Sequence, residues 1–316
     1  NEELNKSPKK TSFQILPVIY YTPETNWAFG VLGIYTFKFH ANDSLLKPSQ
    51  IVPSFVYTTN KQMLTSVRYE LNVNQKWLLR GKLGYYIYPY FFSGIGNEHD
   101  GNYQEWYDAE YPFFNVDMYR KVAKTNLSLG LKYHYQKTTI SSAPDSILNT
   151  SIPGVYGSTM SALGVGVNYD SRDYLLSPTN GWYGDVSVLW TDKNFGSSYQ
   201  DPYLKFDFRK YIPVFKKKDV IAFQVYSEIH SGDVPFNMMA MLGGSRRMRG
   251  YQQGVFRDRQ MMVYQAEYRS RLFFRYVGFT VFGSYGGVGN DFTEVNKNYR
   301  YAVGAGLRLA PIPDKR

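Results

Sequence analysis

The sequence predicts an all-β fold: a transmembrane, antiparallel, up-and-down β-barrel. Three observations point to it. Apolar and polar residues alternate with period two along most of the chain, and no segment carries a helical period. The alternating segments run to about ten residues, the length a tilted strand needs to cross a bilayer. The connections between them are by turns long and short, the habit of transmembrane barrels.

The segments follow one another without a break in composition. They begin near Phe13, Trp27, Ile51, Met63, Trp77, Phe114, Leu127, Ser161, Trp182, Tyr203, Val220, Met262, Phe279 and Tyr299. The first sets Phe13, Ile15, Pro17, Ile19 and Tyr21 on one face. In the seventh, Leu127, Leu129, Leu131, Tyr133 and Tyr135 oppose Ser128, Gly130, Lys132 and His134. The tenth sets Leu204, Phe206 and Phe208 against Lys205, Asp207 and Arg209. In the twelfth, Met262, Tyr264, Ala266 and Tyr268 oppose Gln265, Glu267 and Arg269. The last sets Tyr299, Tyr301, Val303, Ala305, Leu307 and Leu309 against Arg300, Ala302, Gly304, Gly306 and Arg308. Strands of soluble sandwiches also alternate, but they are commonly only about five or six residues long. Here the polar face carries more full charges than a small packed interior accepts. An apolar outside with a charged, glycine-lined inside is expected.

Most connections fit that orientation, although the inner turn His40 to Ser49 is long and the outer turns at 23–26 and 60–62 are short. Outside fall Ser93 to Pro112, Ser141 to Thr159, Thr191 to Asp201, the arginine-rich loop Leu242 to Gln260, and Gly286 to Asn298. The inner side receives the short turns Asn72 to Gln75, Ala123 to Asn126, Phe215 to Asp219 and Arg275 to Gly278. One domain is expected, with residues 1–12 a short periplasmic lead-in and 13–316 the barrel.

Composition narrows the function classes. Lys plus Arg number 36 against 26 Asp plus Glu, a net charge of +10, which invites a nucleic-acid reading. The cations are scattered over alternating segments, however, and no nucleic-acid-binding motif accompanies them. Such a balance is equally at home near anionic lipid or in a water-filled lumen. The 30 tyrosines suit strands and membrane–water boundaries. Cysteine is absent, which removes disulfides and thiolate chemistry together. The longest apolar stretch is broken at residues 23–26 by Pro-Glu-Thr-Asn, so no helical span of about 18 apolar residues exists.

Leu242 to Gln260 stands apart. Arg246, Arg247, Arg249, Arg257 and Arg259 share it with Gly243, Gly244, Gly250 and Gly254. Arginines this dense repel one another unless something receives them, and the glycines announce sharp turns. The stretch GGSRRMRGY resembles the Val-Arg-Gly-Phe/Tyr signature on the sixth outer loop of the BamA/TamA superfamily, with Met248, Arg249, Gly250 and Tyr251 in its places. YDSRDYLLSPTNGW resembles that family's inner turn between the eighth and ninth strands, through Asp170, Arg172, Pro178 and Gly181. YRYAVGAGLRLAPI is similar to its third-from-last strand. The likeness covers essentially the whole chain and is nearest to Bacteroidota-type members of this bacterial surface antigen family, without POTRA domains in the chain.

The resemblance implies that the loop folds into the lumen and that acidic residues of the twelfth and thirteenth strands hold its arginine. Those positions are Glu267 and Ser284; the family's usual Asp is replaced at Ser284 by a hydroxyl, so Arg249 is expected to rest mainly on Glu267. For Arg246, Arg247, Arg257 and Arg259 the expectation is solvation or local pairing, with Asp258 available to any of them. The family has sixteen strands, so two more are expected beyond the fourteenth, with APIPDKR as an inner turn.

Enzyme motifs are lacking. The serines near Gly157 form no nucleophile elbow. His40, His99, His134 and His230 show no metal spacing, and neither a metal nor another cofactor is expected. Asp117, Asp207 and Glu228 share the inner face with Arg80, Lys82, Lys132 and Arg209, an arrangement expected to form a supporting lattice. Two functions remain. In one, an integral outer-membrane barrel helps to insert or translocate outer-membrane proteins, offering its first strand (Phe13, Ile15, Pro17, Ile19, Tyr21) for β-augmentation. In the other it is a passive pore or an accessory barrel of an envelope complex. The partners implied are lipid and lipopolysaccharide, nascent outer-membrane proteins and envelope subunits, with no nucleic acid.

Overall fold

The computed structural model describes residues 11–22, 25–43, 46–98, 101, 105–148, 152–174, 177–215, 219–274 and 276–309. Residues 1–10, His99 and the APIPDKR segment lie outside the described residues.

Fourteen long strands form one antiparallel sheet in which every strand pairs with its neighbours in sequence. They are β1 (Thr11–Thr22), β2 (Asn26–Phe37), β3 (Ser49–Thr58), β4 (Met63–Asn72), β5 (Trp77–Phe92), β6 (Glu105–Lys121) and β7 (Leu127–Ser142). After a short helix α1 (Asp145–Leu148) come β8 (Gly157–Asp170), β9 (Gly181–Thr191), β10 (Asp201–Val214) and β11 (Asp219–His230). The two-residue strands β12 (Ala240–Met241) and β13 (Arg257–Asp258) pair with each other inside the arginine loop. β14 (Gln260–Arg269), β15 (Val277–Gly289) and β16 (Arg300–Leu309) complete the sheet, with helix α2 (Phe292–Val295) before the last strand.

Among the described residues β1 pairs only with β2 and β16 only with β15, so the sheet is up-and-down but is not closed by a β1–β16 ladder. Contacts across its concave side, such as Lys47 to Asp170 and Arg80 to Asp185, show that it curves around an interior.

The alternation sorts side chains as expected. Leu129, Leu131, Val165 and Val167 are exposed on the convex face. Their strand neighbours on the concave face bear the charges. There Asp185 of β9 accepts from Tyr119 Oη (2.8 Å), Lys132 Nζ (3.0 Å), Asn168 Nδ2 (3.1 Å) and Arg80. Asp117 of β6 lies 3.3 Å from Lys132 Nζ and 3.0 Å from His134 Nε2. Because this lattice ties β5, β6, β7, β8 and β9, each buried charge meets opposite charge or a polar group, which is the condition for keeping charges out of water.

Most strands begin within about two residues of the expected starts. β8 begins four residues early, at Gly157 rather than near Ser161, and β6 departs furthest, beginning at Glu105 rather than near Phe114. Residues 105–112, expected as loop, continue the strand outward. Side chains keep their directions along β6, but polarity inverts. Phe114 and Met118 are exposed near the middle of the wall, whereas higher up Tyr107, Ala109 and Tyr111 are buried on the inner side. They pack with Phe92, Phe113, Ile147 and Phe236 in an apolar cluster. That cluster caps the interior at the long-loop end.

Candidate functional site

The connection between β11 and β14 turns into the interior as an irregular hairpin. Leu242 N–H donates to Phe256 O at 2.9 Å, and Gly244 N–H donates to Tyr251 O at 2.9 Å, holding its two limbs together. At Gly243 (φ 103°) the limbs approach so closely that a Cβ would stand 2.6 Å from Gln252 O, so only glycine fits. The tip, Ser245 to Gly250, rests on the walls of β14 and β15.

Met248 is fully buried, and its N–H donates to Gln265 Oε1 at 3.1 Å. Gln265 Nε2 in turn donates to Arg246 O at 2.9 Å. Arg249 donates through Nη2 to Glu267, and its guanidinium carbon lies 3.7 Å from the centre of the Phe282 ring. Glu267 also accepts from Arg269 Nε at 2.7 Å. Gly250 has φ 107°, in the left-handed region, and the Tyr251 hydroxyl donates to Tyr301 O of β16 at 3.1 Å. The tip thus touches β14, β15 and β16 through adjacent residues.

Among the described residues the Ser284 hydroxyl has no hydrogen bond to the loop. It points to Ala302 O, 3.5 Å away, while the Phe282 ring, two residues earlier on the same face of β15, covers Arg249. The ring has room because β16 presents Gly304 opposite it, where a Cβ would stand 2.5 Å from Phe282 Cζ. The signal was in the sequence, as an aromatic residue on an otherwise polar inner face opposite a glycine.

The remaining arginines divide. Arg247 reaches Glu228 (3.5 Å) and lies 3.9 Å over the Tyr226 ring. Arg246 is exposed toward a cavity of about 450 Å³, lined also by Lys82, Tyr86 and Gln253. Arg257, expected to be solvated or locally paired, is instead fully buried. It donates to Gly254 O (2.9 and 2.7 Å), Tyr107 Oη (2.9 Å), Phe236 O (3.4 Å) and Phe91 O, with the rings of Phe92, Tyr107 and Phe236 around it. Five donors in a fixed plane suit this ring of carbonyls, where no carboxylate sits among the described contacts. Among the described residues Asp258 forms no ion pair with an arginine side chain; it accepts the Arg259 backbone N–H at 2.7 Å, and burial pushes its carboxyl up from the ordinary range.

The inner turn between β8 and β9 is a second constellation. Asp170 receives Arg172 through Nε (2.9 Å) and Nη2 (3.1 Å), and Lys47 Nζ stands 3.5 Å away on the β2–β3 connection. Arg172 stacks 4.5 Å over Tyr183. Pro178 is buried, and Gly181 has φ 112° with a Cβ position 2.3 Å from Ser171 O, so a side chain there would collide with backbone. Sequence reasoning passed over Asp173, which closes the turn. It accepts the N–H groups of Tyr174 (2.9 Å), Thr179 (2.9 Å) and Asn180 (3.2 Å) and the Thr179 hydroxyl. Burial pushes its carboxyl up, but these donors outweigh it and hold the group below the usual carboxylate range.

Phe13, Ile15, Ile19 and Tyr21 of the first strand are exposed on the outer face, far in sequence from both constellations; Pro17 lies between them, paired with Val31 of β2.

No curated protein matches the chain. In three dimensions it is similar to BamA from Haemophilus ducreyi lacking POTRA domains 1–3, with a TM-score of 0.62 and 16% identity over 97% of this chain and 65% of that one. It is also similar to CdiB from Acinetobacter baumannii, with a TM-score of 0.58 and 16% identity over 96% and 55%. CdiB from Escherichia coli gives 0.60 and 10% over 95% and 56%. The chain therefore spans between 55% and 65% of the length of these structures. The Omp85 superfamily domain matches residues 49–311. With that match over most of its length and a fold of this kind, the chain belongs to the Omp85 superfamily and is an integral outer-membrane β-barrel protein.

Proposed function

We propose that this chain assists insertion or translocation of outer-membrane proteins, alone or as a subunit of a larger envelope complex. The observation that carries the reading is the one-sided pairing of β1, whose register with β2 runs unbroken from Thr11 to Thr22 while its other edge has no partner among the described residues. Each unpaired backbone group in hydrocarbon costs several kcal/mol, so such an edge favours any strand that satisfies it. Phe13, Ile15, Pro17, Ile19 and Tyr21 are its lipid-side residues. Membership of the Omp85 superfamily supports an assembly or translocation role in general terms. The loop tip across the interior disfavours the alternative of a freely open pore.

In this reading Arg249, Gly250 and Tyr251 lock the loop against Glu267, and Asp170, Arg172, Pro178 and Gly181 hold the inner mouth in shape. Residues 1–12 serve as a lead-in on the periplasmic side, although β1 itself starts at Thr11, and 13–316 serve the barrel. Nascent outer-membrane proteins are the substrate partners, with other envelope subunits beside them and lipid and lipopolysaccharide around the wall.

Photo-crosslinking tests it. A benzoylphenylalanine at Ile15 or Ile19 in cells of the native host is expected to capture newly made outer-membrane proteins. Crosslinks to lipid alone, or to one constant envelope subunit, would replace the reading with an accessory barrel.

A further inference from the structure

A trough crosses the lipid-facing wall from β5 to β9. Cross-strand register builds its two banks. One is the row Trp77, Arg120, Leu129, Val167 and Val186, each paired with the next. The other is the parallel row Met118, Leu131, Val165 and Val188. The inward-facing row between them is Tyr119, Gly130, Gly166 and Ser187, so backbone forms the floor. The resulting hollow is about 550 Å³, almost wholly apolar, and lined by valines over its far half.

One end differs. There Arg120 lies exposed, 5.6 Å over the Trp77 ring, with no carboxylate within ion-pair distance among the described residues. Trp77 begins β5 and Arg120 stands one residue from the end of β6, so this end meets the short turns. The two turns that bracket it add Lys76, Lys121 and Lys124 and carry no acidic residue. Short turns mark the periplasmic side of such barrels. The leaflet on that side is phospholipid, while lipopolysaccharide occupies the other.

We propose that this trough is a binding site for an anionic phospholipid of the periplasmic leaflet. The acyl chain lies along the valine-lined floor, and the phosphodiester headgroup meets Arg120 above Trp77, within reach of the turn lysines' field. Apolar surface alone would accept any lipid. The unpaired guanidinium and three neighbouring ammonium groups supply the charge preference.

The test is a competition. Protein in neutral detergent is offered equimolar phosphatidylglycerol and phosphatidylethanolamine with identical acyl chains, and the retained lipids are counted by native mass spectrometry. Phosphatidylglycerol is expected to be retained about fivefold or more over phosphatidylethanolamine, the weight of a single basic side chain at an anionic surface. Arg120→Gln is expected to cut that preference severalfold, leaving only the weaker field of the three lysines. Val167→Phe, which fills the trough and leaves Arg120 in place, is expected to reduce retention of both. Heat-modifiable electrophoretic mobility verifies that each variant is folded, and either variant alone suffices. Equal retention of the two lipids by the unaltered protein, a preference undiminished in Arg120→Gln, or total retention unchanged in Val167→Phe would overturn the proposal.

Discussion

The Arg249 guanidinium carbon lies over Phe282, 3.7 Å from the ring centre, while its Nη2 donates to Glu267. An arginine presents its plane to one partner and its edge to another, and a lysine does not. Loop seating therefore rests on β14 for charge and on β15 for stacking, with Gly304 of β16 clearing space for the ring.

Phe282→Leu is expected to loosen the tip by about 1 kcal/mol, the usual worth of a cation–ring contact. Gly304→Ala is expected to do the same from outside the contact, by displacing the ring. Tryptic cleavage at Arg246 and Arg247 reports both. Unchanged cleavage in either variant would remove the ring from the lock.

Glu267 serves two arginines, so its loss strands both. Glu267→Ala is expected to cost more than Arg249→Ala, roughly 2 kcal/mol against roughly 1, given charge-assisted bonds in a half-buried setting. The double variant should fall well short of the sum, as contacting residues require. Urea unfolding in detergent measures the cycle, and strict additivity would show that the two side chains do not share a contact.

Arg257 is tied to four carbonyl or hydroxyl oxygens beneath the outer cap. Arg257→Lys keeps the charge but loses the planar fork, and the cap should open at a cost of about 3 kcal/mol, since buried acceptors are left unmet. Faster amide exchange in residues 231–259 and in the outer ends of β5 and β6 is the expected sign. A lysine variant as protected as the parent would show that charge alone suffices.

Asp173 gives the inner turn a dependence on pH. Its folded carboxyl is held below the unfolded value, which is about 3.9. The stabilisation it brings is complete above that value and is lost as pH falls through the lower folded one. Protection of the amides in residues 171–180, taken relative to their intrinsic exchange rate at each pH, should fall on acidification below about pH 4 in the parent. Asp173→Asn should show lower protection at neutral pH and little further change of protection in acid.

Much of the wall was legible because its rule is binary. A strand that separates lipid from a polar interior must alternate, and β4, β5 and β7 start at the residues where alternation starts. The same rule hid the outer part of β6, where water lies outside and an apolar cluster lies within. Tyr107, Ala109 and Tyr111 follow the period of Phe114 and Met118 with its sign reversed. Glu267 was legible because it stands on a strand of fixed parity. Arg257 and Asp173 were not, because one sits on a two-residue strand inside the loop and the other in a turn, and most of their partners are main-chain groups that no side-chain pattern records.

The inversion along β6 means that one strand answers to two solvents. Its lower half is held by ladder hydrogen bonds and by lipid as apolar as itself, where burial from water contributes nothing between strands. Its upper half folds as a water-soluble protein does, driven by apolar surface leaving water, and carries the heat-capacity change that goes with it. Cold should therefore weaken the cap while leaving the wall intact. A thicker or thinner membrane should strain the wall without disturbing the cap.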